Sequence, residues 1–167
     1  PKIGDVATLS NDELIALQSH ANEWYPRQAR KVLQERAAAG RDMRAVHAGF
    51  MQQFIREKQA VRKLRAMWGL YVTGGTTLPW LREQLDHEME HVRVWAVRLL
   101  TQEGEVEPAT LRMLERMARD ETSGLVRLYL ASALQKVPAK TRVGLAQALL
   151  ARSEDASDHN QELMIWY

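Results

Sequence analysis

One pattern constrains this chain more than any other: a helix that opens with an apolar residue and an arginine, and recurs. Val92-Arg93-Val94-Trp95-Ala96-Val97-Arg98-Leu99-Leu100 aligns with Val126-Arg127-Leu128-Tyr129-Leu130-Ala131-Ser132-Ala133-Leu134. Both align with Leu64-Arg65-Ala66-Met67-Trp68-Gly69-Leu70-Tyr71-Val72, and more loosely with the segment from Pro26-Arg27 to Leu33. Apolar residues follow three, six and seven positions after the arginine. The arginines stand at 27, 65, 93 and 127, giving spacings of 38, 28 and 34. That is a degenerate two-helix repeat of about 33 residues. Such a helix has apolar side chains on two faces, one for its partner and one for the next repeat. A single unit cannot bury both, so stacking supplies the core.

Punctuation supports helices almost throughout. Ser10-Asn11-Asp12-Glu13 reads as a capping box opening a helix to about His20. Pro26 suits a first helical turn, and that helix runs to about Ala39 before Gly40. Asp42 is expected to cap a helix to about Glu57, and another spans about Gln59 to Val72. The latter ends at Thr73-Gly74-Gly75-Thr76, a helix C-terminal cap and turn rather than a phosphate loop. Thr77 and Pro79 start a short helix to about Asp86. Further helices are expected at about Glu90–Gln102, Pro108–Arg119, Ser123–Val137 and Ala139–Ala151, with a tenth from near Asn160. No segment alternates with period two. The expected fold is therefore all-α: a right-handed α-solenoid of about five helical pairs over residues 1–167, one repeat domain.

In that frame the repeat arginines Arg93 and Arg127 occupy equivalent positions near the starts of successive inner helices. Each is placed to bond a carboxylate or the carbonyl end of a neighbouring helix. Trp24, Trp68, Trp95 and Tyr129 sit in or beside repeated helices and read as packing between repeats; exposure on a binding face is the rival reading. A buried Trp95 predicts a cost of about 3–5 kcal/mol for Trp95→Ala.

The same strings carry a family resemblance. Asn22 to Arg30, Leu64 to Trp68 with Thr73-Gly74-Gly75, Glu90 to Leu100 and Val126 to Gln135 occur in order. The arginine-led pattern resembles HEAT-like repeats. The whole series resembles the helical-repeat region of the large proteins of planctomycetes, verrucomicrobia and acidobacteria described as membrane-bound dehydrogenases. The resemblance implies a preceding propeller related to quinone-dependent sugar dehydrogenases and a following cytochrome-c-like domain with a CxxCH motif. It also implies a periplasmic or secreted setting. It carries no catalytic residue onto this segment, whose part would be that of a non-enzymatic scaffold binding a protein partner or neighbouring domains of its parent. The opening at Pro1 and the apolar run Leu163-Met164-Ile165-Trp166-Tyr167 at the other end fit an excised piece of such a parent.

Composition narrows the chemistry. With no cysteine, the chain has no disulfide framework, thiolate metal site, thiol nucleophile or covalent haem attachment of its own. No stretch approaches 18 apolar residues, so no membrane insertion is expected. The net charge of +2 conceals an uneven distribution. From Arg27 to Arg65 there are 11 Lys/Arg and 3 Asp/Glu, flanked on each side by a segment of net charge −3. Arg27, Arg30, Lys31, Arg62, Lys63 and Arg65 form a candidate basic contact surface. An acidic protein surface suits it better than nucleic acid, whose dedicated binders show a stronger imbalance.

One motif points elsewhere. His87-Glu88-Met89-Glu90-His91 matches H-E-x-x-H, in which two histidines one helical turn apart hold zinc and the glutamate activates water. That chemistry needs a continuous helix and a third ligand. Here the motif straddles an expected helix boundary and no third-ligand pattern follows, so the reading is a solvated turn with Glu90 at a helix start. His20, His47 and His159 are isolated, and Ser10, Ser123 and Ser132 lack the glycines of a nucleophile elbow. No catalytic, metal or cofactor site is assigned; a zinc hydrolase and a HEAT-like nucleic-acid module are the rival readings.

Overall fold

The computed structural model describes residues 4–102 and 105–166. Pro1 and Tyr167, the ends of the chain discussed above, lie outside the described residues. Every regular element among the described residues is helical, and the chain divides into two compact units, Pro1–Thr76 and Thr77–Tyr167.

In the first unit a 3-10 turn, Val6–Thr8, leads into α1, Asn11–Ala16. The expected capping box is formed: the Ser10 N–H donates to Glu13 Oε2 at 2.7 Å and the Glu13 N–H donates to Ser10 Oγ at 3.3 Å. α1 tightens into a 3-10 turn, Leu17–Ser19, instead of running on as one α-helix. α2 spans Trp24–Ala38 and is closed by Gly40 at φ 74°, a left-handed geometry that glycine adopts without penalty. α3 is Arg44–Arg56 and α4 is Ala60–Val72, which ends before Gly74 at φ 76°. Asp42 does not cap α3 as expected. Met43 is the residue at the cap, and the Asp42 carboxylate accepts instead from the Arg44 N–H and guanidinium.

α1 packs on α2 and α3, α2 packs on α4, and α3 packs closely on α4. The unit is thus two helical pairs, stacked. Leu14, Leu33, Val46, Phe50, Met67 and Leu70 have no exposed surface and form its core.

The second unit holds α5 (Leu78–Glu83), α6 (Glu90–Leu100), α7 (Pro108–Asp120), α8 (Gly124–Ala133), α9 (Val143–Leu150) and α10 (His159–Trp166). Thr77 caps α5 by accepting the Trp80 N–H, and Ser123 caps α8 by accepting the Val126 N–H. α5 and α8 close with 3-10 turns, Gln84–Asp86 and Leu134–Lys136, and Ser153–Asp155 forms another before α10. α6, α8 and α10 pack successively in one layer. α7 and α9 pack in the other, and Arg82 of α5 reaches α7 through Thr110 Oγ1 at 2.8 Å. Val92, Val97, Leu114, Val126, Leu130 and Leu145 are fully buried between the layers.

Candidate functional site

The six basic residues of the candidate contact surface meet different fates within the first unit. Arg27 and Lys31 are exposed on α2, and Lys31 faces Glu35 at 3.8 Å one turn on. Arg62 lies 3.9 Å from Glu57. Arg30 is half-buried: its guanidinium donates to Gln18 Oε1 at 2.8 Å and lies 5.3 Å from the Trp68 ring centroid. Burial, with the nearby charge of Arg65, lowers its pKa to about 10, so it stays protonated at neutral pH.

Lys63 and Arg65 are not surface groups at all. Lys63 is 6% exposed; its ammonium donates to the Phe54 carbonyl at 2.5 Å and sits over the Phe54 ring. Arg65 is 5% exposed and donates to the Gln18 carbonyl at 2.6 Å and the His20 carbonyl at 3.2 Å. Its other nitrogen pairs with Glu23, and that hydrogen bond holds the Glu23 carboxyl below the usual carboxylate range. These two cations tie α4 to the carbonyl ends of neighbouring segments.

Arg93 and Arg127 occupy equivalent positions in the second unit. Arg93 donates from Nε and Nη2 to the two Glu121 oxygens, each at 2.8 Å, and from Nη1 to the His87 carbonyl at 2.8 Å. Arg127 repeats the arrangement: Nε and Nη2 reach Asp155 at 2.5 and 2.6 Å, and Nη1 reaches the Glu121 carbonyl at 2.9 Å. In each case the carboxylate lies 28 positions ahead and the carbonyl six positions behind. The geometry is the fork-to-fork pairing that makes arginine–carboxylate bonds both strong and directional. Burial pushes the Glu121 carboxyl up, but hydrogen bonds from Arg93 and the Ser123 N–H outweigh it and leave it below its ordinary value. The hydrogen bond to Asp155 raises Arg127 further above its already high value.

The HEMEH segment is broken where a metal site needs continuity. The 3-10 turn ends at Asp86, His87 is extended, and α6 begins at Glu90, so His87 and His91 do not share one helix face. His87 Nδ1 accepts the Met89 N–H at 2.9 Å, and the carbonyls of His87 and Glu88 accept from Arg93. His91 and Glu88 are exposed. Among the described residues no three His, Cys, Asp or Glu side chains are grouped to hold a metal ion.

The aromatic residues divide. Trp24 is 53% exposed and meets Tyr25 edge-on, so it does not pack between helical pairs as the sequence suggested. Trp68, Trp95 and Tyr129 are half-buried. The exposed Arg98 guanidinium lies 4.2 Å from the Trp95 ring centroid and 5.7 Å from that of Tyr129. The repeat pattern marks Trp95 and Tyr129 as packing residues and gives Arg98 no role. The signal was there: Arg98 follows Trp95 by three positions, one helical turn along the same face. Arg36 was also missed. It donates to Asn11 Oδ1 and to the carbonyls of Ala7 and Leu9, fastening the first turn of the chain to α2.

Comparison with family models, curated proteins and solved structures finds no match. Among the described residues, no helix is long and apolar enough to cross a membrane.

Proposed function

We propose that this chain is a non-enzymatic scaffold, a HEAT-like array of about five helical pairs in a right-handed solenoid. It would position catalytic and electron-transfer domains of a larger dehydrogenase-type protein. The observation that carries the reading is the duplicated arginine fork. Arg93–Glu121 and Arg127–Asp155 recur at a 34-residue interval with the same carbonyl bond behind each. Each fork joins segments 28 residues apart, as contacts that hold successive helical pairs in register would. Stacked helical repeats create extended surfaces that suit binding. The family resemblance of the same arginine-led helices supplies the parent.

The reading frame on either side of the chain tests this directly. Expected are a propeller on one side, a CxxCH-bearing domain on the other, and calorimetrically measurable association of this chain with at least one of them. A frame without such neighbours, or turnover of a substrate by residues of this chain, removes the reading.

A further inference from the structure

The solvent side of the α6–α8–α10 layer holds two clefts that share a wall. The first, about 360 Å³, lies between the ends of α6 and α8. Its lining includes Arg98, Gln102, Tyr129, Ser132, Gln135 and Lys136. The second, about 280 Å³, lies between α8 and α10 and is bounded by Leu128, Asn160 and Met164. Tyr129 and Ser132 belong to both. Gln135 Nε2 is 3.9 Å from the Met164 sulfur, which ties the two sides together.

Among the described residues the lining of the first cleft is cationic: it carries two positive charges and no carboxylate, and neither Arg98 nor Lys136 is ion-paired. This sets Arg98 apart from Arg93 and Arg127, whose forks are filled. Two like charges facing one cleft repel unless an anion joins them. The Trp95 and Tyr129 rings, centred 4.2 and 5.7 Å from the guanidinium carbon, attract it and hold it beside the cleft. The Gln102 amide and the Ser132 hydroxyl in its lining add donors for carboxylate oxygens. The second cleft is walled mainly by apolar groups, Leu128, the Tyr129 ring and the adaptable Met164 thioether.

We propose that this double cleft is a peptide-docking site, taking an acidic side chain at Arg98 and Lys136 and an adjacent apolar side chain between Leu128 and Met164. The proposal rests on the scaffold reading and deepens it by naming the chemistry of the partner. Phosphate groups of nucleic acid also suit the cationic cleft, but Leu128 and Met164 wall the second with aliphatic and thioether groups that match an apolar side chain better than the flat face of a base, so the pair of clefts favours a peptide.

The test is a nuclear magnetic resonance titration of the whole chain with the hexapeptide SEELLS and its counterparts SQQLLS and SEESSS. Expected are saturable shifts at the amides of Thr101, Ser132 and Asn160 with SEELLS, and affinity at least about tenfold weaker for each counterpart. Arg98→Gln, at an exposed site, should remove the preference for SEELLS over SQQLLS, whereas Arg98→Lys should retain part of it. Equal binding of SEELLS and SQQLLS overturns the proposal, as does the absence of binding by SEELLS. Tighter, Arg98-dependent binding of a single-stranded oligonucleotide overturns it in favour of nucleic acid. Those outcomes leave the scaffold reading standing, because it depends on the neighbouring domains and fails or holds on their association.

Discussion

The buried arginine forks are where single residues decide most. Arg127 is 4% exposed and Asp155 faces it from a largely buried position. Arg127→Met strands that carboxylate and takes a donor from the Glu121 carbonyl, for a loss of about 3–5 kcal/mol in urea unfolding. Adding Asp155→Leu removes the stranded charge, and the double variant should recover most of the loss. A double variant no better than the single one would show that the fork's hydrogen-bond geometry, not charge compensation, stabilises the site. Glu121 sets a pH dependence. Its folded-state pKa lies below the ordinary 4.5, so its contribution is complete above about pH 4.5 and is lost as pH falls through the lowered folded value. Urea midpoints should therefore drop below pH 4.5, and Glu121→Gln should flatten that drop while lowering stability at neutral pH. Trp95 needs a smaller figure than full burial suggests. Half-buried and stacked on Arg98, it should cost about 1–3 kcal/mol on truncation to alanine, below the range for a fully enclosed tryptophan.

Among whole elements, the α3–α4 contact shows what close packing demands. A methyl group at Gly69 would come closer than 3.0 Å to three ring carbons of Phe50, and Phe50 has no exposed surface into which to turn. Gly69→Ala gains about 1 kcal/mol of helix propensity but forces an overpacking cost of about 1–3 kcal/mol. The expected result is a lower melting temperature; an unchanged or higher one would mean that α3 shifts freely against α4. The elements themselves were largely legible in the sequence because their signals are local. The Ser10 capping box, the Thr77 and Ser123 caps and the glycines at 40 and 74 act within one turn of chain. What stayed hidden depended on distant partners. The 3-10 turn Leu17–Ser19 packs on α2 and α4, and Arg36 anchors a segment 27 to 29 residues away. The α9 start at Val143, later than the expected Ala139, has a local cause instead: the Thr141 and Arg142 N–H groups are held by the Pro138 carbonyl in a turn.

Across the whole molecule, charge read along the chain and charge presented to solvent differ. The run from Arg27 to Arg65 is strongly basic in sequence, yet Lys63 and Arg65 are internal and Arg30 is committed to Gln18 and Trp68. The pattern that marks Arg65 as a repeat position is the same pattern that buries it, so the repeat and the contact surface made opposite demands on one residue. Of the six candidates, Arg27, Lys31 and Arg62 keep charge that a partner can use, the latter two in loose pairs of the kind that exposed side chains break easily. Three phosphate contacts correspond to a salt slope of about −2.7 in log affinity against log salt. Replacing Arg27, Lys31 and Arg62 together by glutamine should therefore change the slope for any oligonucleotide by no more than about 3, with the unfolding midpoint nearly unchanged. Arg65→Gln should do the reverse, lowering the midpoint while leaving the slope alone. A larger slope change on replacing Arg65, in a chain that remains folded, would put that guanidinium on the surface and break the repeat alignment that buries it.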